Sequence, residues 1–281
     1  MRVGVIQTLW RYPVKSMLGE RLDITPVGPL GVPGDRGYAI RDERAGEIRG
    51  AKKIPGLLRF SARYMVDPTD VSIPPAEITA PDGTTVRTDD PDVHARLSHA
   101  LGHTVTLWPR QPAENTEHYR RHPRAMEEIR QILGLEAGDP LPSFEGLPQD
   151  IFHYVSPLGT YFDAYPLHLL TTASLRALTA QYPEGQFVPE RFRPNLVIDT
   201  TEDGQKEEAW KGKTLRIGTA ELLIEVPTIR CVMTTLPQGH LPKDPRILRT
   251  VVQHHGHQAG VYATVTRPGV VRVGDPVELL S

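Results

Sequence analysis

Prolines and glycines, 27 and 24 of them in 281 residues, are spread along the whole chain and cut it into short apolar runs. Proline fixes φ and removes a ladder donor, and glycine admits left-handed turns, so the runs between them have mostly strand length. This punctuation predicts a mainly β chain with a few helices, an α+β fold. In the first part, residues 3–9, 21–27, 36–41, 57–65, 77–80, 84–88 and 104–108 read as strands. Pro81-Asp82-Gly83 joins two of them as a hairpin. Asp90-Pro91 reads as an N-cap with proline at the first helical position, with Val93, Leu97 and Leu101 at four-residue steps and Gly102 as the stop.

The pattern changes at about residue 110. Residues 111–160 are polar and rich in proline, histidine and charge, with one helical stretch near 124–133. A connection this long marks function or mobility. Strand signals resume at 167–170 and continue at 196–199, 214–217, 221–226, 261–265 and 277–280, with a helix over 172–182. Three parts follow: a β-barrel-like unit over 1–110, a connecting excursion over 111–160, and a second strand-rich unit over 161–281.

Composition removes several function classes. A net charge of −2 argues against nucleic-acid binding, which needs clustered excess Lys and Arg. No apolar run approaches the ~20 residues of a membrane helix, and the N-terminus lacks a signal-peptide pattern. One cysteine rules out a disulfide scaffold, so the cytoplasm is the expected location. Dinucleotide, Walker-type and nucleophile-elbow motifs are missing, and an iron–sulfur cluster needs about four cysteines. Any redox chemistry must therefore draw electrons from a separate protein.

The candidate chemistry sits at strand ends and turns. Cys231 follows Arg230 in Thr-Ile-Arg-Cys-Val-Met-Thr-Thr, where a hydrophobic strand ends. A free cysteine usually packs as a small hydrophobe, whereas a thiolate attacks electrophiles and binds soft metals. Lys15-Ser16, Asp35-Arg36 and Arg191-Phe192-Arg193-Pro194-Asn195 supply further cations and hydrogen-bonding groups. Singly, each reads as a surface charge or an ion-pair partner. Together they would suit an anionic ligand. His254-His255-Gly256-His257 reads as solvent-facing, with metal binding or the substrate entrance as alternatives.

Five motifs occur in a fixed order: Tyr12-Pro13-Val14-Lys15-Ser16, Gly34-Asp35-Arg36, Arg191-Phe192-Arg193-Pro194-Asn195, Arg230-Cys231-Val232-Met233-Thr234-Thr235 and Val273-Gly274-Asp275-Pro276-Val277. In this the chain resembles the two-part members of the MOSC family, such as the mitochondrial amidoxime-reducing component and its bacterial relatives. The resemblance implies an N-terminal β-barrel domain over 1–110 and a MOSC β-barrel domain over 161–281. It implies the molybdenum–molybdopterin cofactor, with Cys231 as metal ligand and Lys15, Ser16, Arg36, Arg193, Asn195 and Arg230 as cofactor contacts. Asp163, in Tyr161-Phe162-Asp163, falls where family members carry an aspartate near the metal, and it is the candidate proton relay. The implied activity is reduction of N-hydroxylated or N-oxide small molecules, with electrons from a ferredoxin-, flavoprotein- or cytochrome-type donor. A cofactor carrier or a persulfide-transfer protein using Cys231 is the alternative. Ala164 and Tyr165 depart from the family's polar residues at those places.

Overall fold

The computed structural model describes residues 1–200 and 207–280. Its centre is a closed barrel of seven strands, running in order through Leu196–Asp199, Leu167–Thr171, Gln258–Arg267, Ala220–Ile229, Thr214–Ile217, Pro276–Leu279 and Arg2–Arg11. Arg2–Arg11 closes the ring. On one side it pairs antiparallel with Leu196–Asp199, and on the other with Pro276–Leu279. The first ten-residue strand thus lies in the same sheet as strands from the last third of the chain. A register shift between Ile6 and Thr8 marks a bulge, the usual device for bending a strand around a barrel.

Side-chain alternation explains the barrel core. Ala220–Ile229 alternates buried and half-buried residues without a break, placing Leu222 and Ile224 inside with Ile6, Leu9, Leu169, Ile198, Leu215, Val261 and Val277. Leu167–Thr171 is buried throughout, as a strand covered on both faces must be. The outer cover comes from helices Thr172–Gln181 and Pro245–His254, which pack Leu175, Leu178, Ile247 and Val251 against Leu170. Thr172–Gln181 is also the crossover that lets Leu167–Thr171 and Leu196–Asp199 run parallel. It starts at Thr171, whose hydroxyl accepts from the Ser174 amide at 3.1 Å and donates to the buried Glu207 carboxylate at 2.7 Å.

The remaining N-terminal residues form two three-stranded sheets. One orders Glu47–Ile48, Tyr38–Asp42 and Val105–Pro109, and the other Ser61–Tyr64, Ala76–Thr79 and Thr85–Arg87. They share a core that includes Val14, Met17, Ile40, Leu57, Leu58, Ile78 and Leu107, closed by Val93 and Leu97 of helix Val93–Leu101. A fourth sheet pairs Ile24–Val27 with Gly269–Arg272 and ties this part to the barrel.

Several sequence expectations need correction. The run 57–65 is a 3₁₀ turn, Pro55–Arg59, followed by a short strand, because Pro55 sits at the turn's first position and its buried Leu57 and Leu58 point to one core. The strand expected from residue 36 begins at Tyr38, since Arg36 adopts a left-handed conformation. The helix expected to be capped by Asp90 starts later, at Val93, with Asp92 at the N-cap position making no side-chain capping bond. Helix Pro245–His254 carries no strand-like signal and was not expected; its Asp244 cap and Pro245 at N1 were the available cue.

Gly4 lies where the barrel closes, and a Cβ there would stand 2.4 Å from the Asp199 carbonyl oxygen and 2.8 Å from Ile198 Cγ2. Gly4→Val should therefore cost about 1–3 kcal/mol through overpacking against backbone. Urea unfolding of the variant beside the parent measures it.

Candidate functional site

The backbone brings the first two motifs together by direct hydrogen bonds. Beyond Arg11 the chain turns, the Tyr12 amide donates to Asp35 Oδ1 at 2.8 Å, and the Arg36 amide donates to the Tyr12 carbonyl at 2.7 Å. The Lys15 amide then donates to the Tyr38 carbonyl. The third motif arrives through the barrel closure, where Trp10 donates to the Asn195 carbonyl at 2.8 Å and the Tyr12 hydroxyl donates to the Pro194 carbonyl at 3.1 Å. The fourth follows strand Ala220–Ile229, which ends at the Arg230-Cys231 corner before the 3₁₀ turn Val232–Thr235.

These segments enclose two joined cavities. The smaller, about 60 Å³, is walled by Arg36, His168, Arg193, Asn195 and Arg230. The larger, about 660 Å³, carries Lys15 and Ser16 on one side and the 111–160 excursion on the other. Asp163, Ile229, Cys231, Met233 and Tyr262 border both. All eight site residues expected from the sequence thus line one cleft, and the half-buried Cys231 thiol stands at its junction.

Tyr12 is the shelf beneath the cations. The Arg36 and Arg193 guanidinium carbons lie 4.5 and 4.3 Å from its ring centroid. Arg36 pairs with the buried Asp35. Arg230 donates to the Phe192 carbonyl at 2.6 Å and approaches His168 Nε2 at 3.4 Å, a contact in which the ring nitrogen accepts. Arg193 has no such partner: among the described residues both its terminal nitrogens are buried without a hydrogen bond, as is Arg230 Nε. Burial, and then the charge of Arg36, pull the Arg193 pKa to about 10. An arginine does not give up its proton there; the shift records how much its charge costs in this place.

Lys15 donates to Asp163 Oδ1 at 2.8 Å and to the Tyr161 carbonyl at 2.7 Å. Burial lowers the Lys15 pKa, and Asp163 opposes that. Burial also favours neutral Asp163, but the charges of Lys15 and Lys52 outweigh it and hold the carboxyl well below the usual carboxylate range. The Asp163 side chain is 62% exposed to the cavity, so water screens this pair. Four cations, Lys15, Arg36, Arg193 and Arg230, thus face two carboxylates, Asp35 and Asp163, and the surplus positive charge suits a dianion.

Backbone strain gathers at the same place. Among the described residues, only Ser16, Arg36, Arg193 and His257 outside glycine have positive φ, at 68°, 48°, 57° and 73°. Each left-handed residue costs roughly 1–2 kcal/mol, and three of the four are expected cofactor contacts. Gly50 gives Ser16 its room, since a Cβ there would stand 2.5 Å from Ser16 Oγ. Asn195 is more committed than its sequence suggested: its Oδ1 accepts from the His168 amide at 3.1 Å and its Nδ2 donates to the Trp10 carbonyl at 3.4 Å. One amide hydrogen is left for a ligand.

The expectation for the histidine run changes. His257 is buried rather than solvent-facing, because its carbonyl receives the Arg230 amide beneath the site. None of His254, His255 and His257 borders either cavity, and no group of metal-ligating side chains occurs among the described residues. Tyr12, His168 and Tyr262 were not singled out as site residues. Tyr12 was visible only as part of a motif, and the other two sit in ordinary strand patterns.

Two family models match the chain. The MOSC domain model matches residues 157–278, and the MOSC N-terminal beta barrel domain model matches residues 3–107. Among curated proteins, mitochondrial amidoxime-reducing component 1 of Homo sapiens is 25% identical over 311 aligned positions, covering 100% of this chain and 84% of that protein. Its Mus musculus counterpart is 26% identical, covering 100% and 83%. Among solved structures, the YUAD protein from Bacillus subtilis aligns over 98% of this chain and 94% of that one, at 14% identity and a TM-score of 0.47.

Two outcomes follow from these electrostatics. Arg193→Met removes a buried cation with no counterion, so the ligand-free protein should gain about 1–3 kcal/mol in denaturant unfolding. His168 is held neutral, its pKa pushed well below 6.5 by burial first and by Arg230 second. The unfolded chain takes up a proton there below about pH 6.5 and the folded chain does not, so stability is lost as pH falls from that point. The slope approaches about 1.4 kcal/mol per pH unit for this one group. Urea melts at pH 7.5 and 5.5 should show a smaller loss in His168→Gln than in the parent.

Proposed function

The chain belongs to the MOSC family, in the form that joins a MOSC N-terminal β-barrel domain to a MOSC domain, and on that footing we propose that it is a molybdenum-cofactor-dependent reductase of N-hydroxylated or N-oxide small molecules. The observation that carries this reading is the pair of orphaned Arg193 nitrogens beside Arg36 and Arg230, in a cavity that the single thiol also lines.

The donor set suits the molybdenum–molybdopterin complex. Its phosphate would be held by Arg193, Arg36 and Arg230, whose forks match anionic oxygens. A ligand of that size needs roughly 300 Å³ or more, so it would also use the Lys15–Ser16 side of the larger cavity. Cys231 would supply the soft thiolate that ligates the metal. When bound, the cofactor supplies a centre that takes oxygen from an N–O bond and relays two electrons.

The protein's own residues do the rest. Lys15 Nζ, its pKa lowered by burial, supplies protons that leave with the oxygen as water, while Asp163 Oδ1, 2.8 Å away and held ionised, positions that ammonium and, contrary to the sequence expectation, does not itself relay the proton. Tyr12, with two guanidinium groups against its ring, fixes their spacing before any ligand arrives. Reduction consumes two electrons and two protons per N–O bond. The electrons come from a separate donor protein, and the cytoplasm is the proposed place of action. Among the described residues no helix is long and apolar enough to cross a membrane.

Expression in a host that makes the cofactor tests the proposal. The purified protein should carry about one molybdenum and one pterin per chain and should reduce benzamidoxime with an artificial electron donor. Cys231→Ala should keep the parent's circular dichroism while losing bound molybdenum and at least ~100-fold in turnover. Full turnover in that variant would overturn the role of Cys231. Bound cofactor with no reduction of any N-oxygenated compound would point instead to a carrier.

A further inference from the structure

The larger cavity has an apolar half that the cofactor contacts do not explain. Helix Met126–Leu133 and the segment that follows it line this half with Met126, Ile129, Ile132, Leu141, Phe144 and Phe152. None of the six belongs to a packed core cluster. Met126, Leu141 and Phe152 are 56, 42 and 45% exposed, three large apolar residues gathered on one wall. Apolar surface left unpacked around a cavity of about 660 Å³ is the character of a ligand chamber rather than of a core.

The same chamber holds a cation, Arg121, that makes no ion pair among the described residues, although Glu47 on the chamber wall and Asp163 act on it electrostatically. Among its other basic residues, Arg49 pairs with Asp42, Lys53 and Arg124 pair with Glu128, Lys15 pairs with Asp163, and Lys52, which makes no ion pair among the described residues, lies close enough to Asp163 to lower its pKa. Arg121 has no carboxylate within ion-pair distance among the described residues. Its Nη1 donates to the Ile151 carbonyl at 2.6 Å and its Nε is buried without a partner. Burial, and then the charge of Arg124, lower its pKa to about 10, so its charge too is costly in place.

We infer that the excursion wall and Arg121 select the substrate: an N-oxygenated compound with an aromatic or branched apolar body and an anionic group, a carboxylate in the simplest case. The body lies against Ile129, Ile132 and Phe144, the anion meets Arg121, and the N–O end reaches the Cys231–Asp163 junction that the chamber shares with the smaller cavity. This assignment rests on the reductase reading for the chemistry at the junction. The recognition of the body and the anion is independent of it.

The test separates the two. With the purified holoprotein, calorimetric titration of biphenyl-4-carboxylate and of biphenyl-4-carboxamide should give a Kd for the carboxylate at least ~10-fold lower. The matching biphenyl amidoximes, with and without the carboxylate, should show the same ratio in KM. Arg121→Gln should bring the two compounds of each pair together, and Ile129→Trp, which fills the chamber, should weaken both biphenyls. Carboxylate and carboxamide binding equally in the parent, or an undiminished preference in Arg121→Gln, would overturn the inference even if benzamidoxime is reduced. An Arg121-dependent preference in binding, with no amidoxime reduced, would support the chamber and sink only the reductase reading.

Discussion

The closure of the barrel by Arg2–Arg11 is the constraint from which the rest follows. Its hydrogen bonds to Leu196–Asp199 set Tyr12, at the strand's exit, against Pro194, and so place the first motif beside the third across more than 180 residues of chain. Asp35 then receives the Tyr12 amide, and Arg36 is drawn over the Tyr12 ring. The cleft is therefore assembled by backbone geometry in the barrel wall. Its charged side chains do not assemble it, since like charges resist being brought together.

That resistance is met in three ways. Asp35 neutralises Arg36, the Tyr12 ring attracts the Arg36 and Arg193 guanidinium groups with its negative face, and the Phe192 carbonyl receives Arg230. Arg193 is what remains without a hydrogen bond to its terminal nitrogens among the described residues. The left-handed backbone at Ser16, Arg36 and Arg193 adds a second local cost at the same residues. Stability given up in one place, in two physical forms, is how a site prepared for a charged ligand differs from an ordinary surface.

Much of this was legible in the sequence. Proline and glycine spacing gave the β-rich class, alternation gave strands such as the one ending at Cys231, and the ordered motifs gave the family and the cations. Spatial order was less legible. The sequence places residues 2–11 with the N-terminal part, whereas their hydrogen bonds go to strands near residues 196–199 and 276–279, because pairing partners are not encoded in local pattern. Arg36 read as a strand residue because its left-handed φ comes from tertiary hydrogen bonds and not from its type. The apolar half of the chamber was hidden for a different reason. Met126, Ile129, Phe144 and Phe152 are scattered through a polar segment, and only their fold gathers them on one wall.

Cys231 is the one sulfhydryl of the chain, it is half-buried, and it borders both cavities. A maleimide dye can therefore attach at a single place, and that place is the cleft itself. Any molecule resting against the sulfur shields it from alkylation, so the rate of labelling becomes an optical gauge of occupancy that needs neither turnover nor an engineered tag. The same uniqueness makes the protein vulnerable, because one oxidation event at that atom removes its only thiol, with no second cysteine in the chain to resolve the product as an internal disulfide.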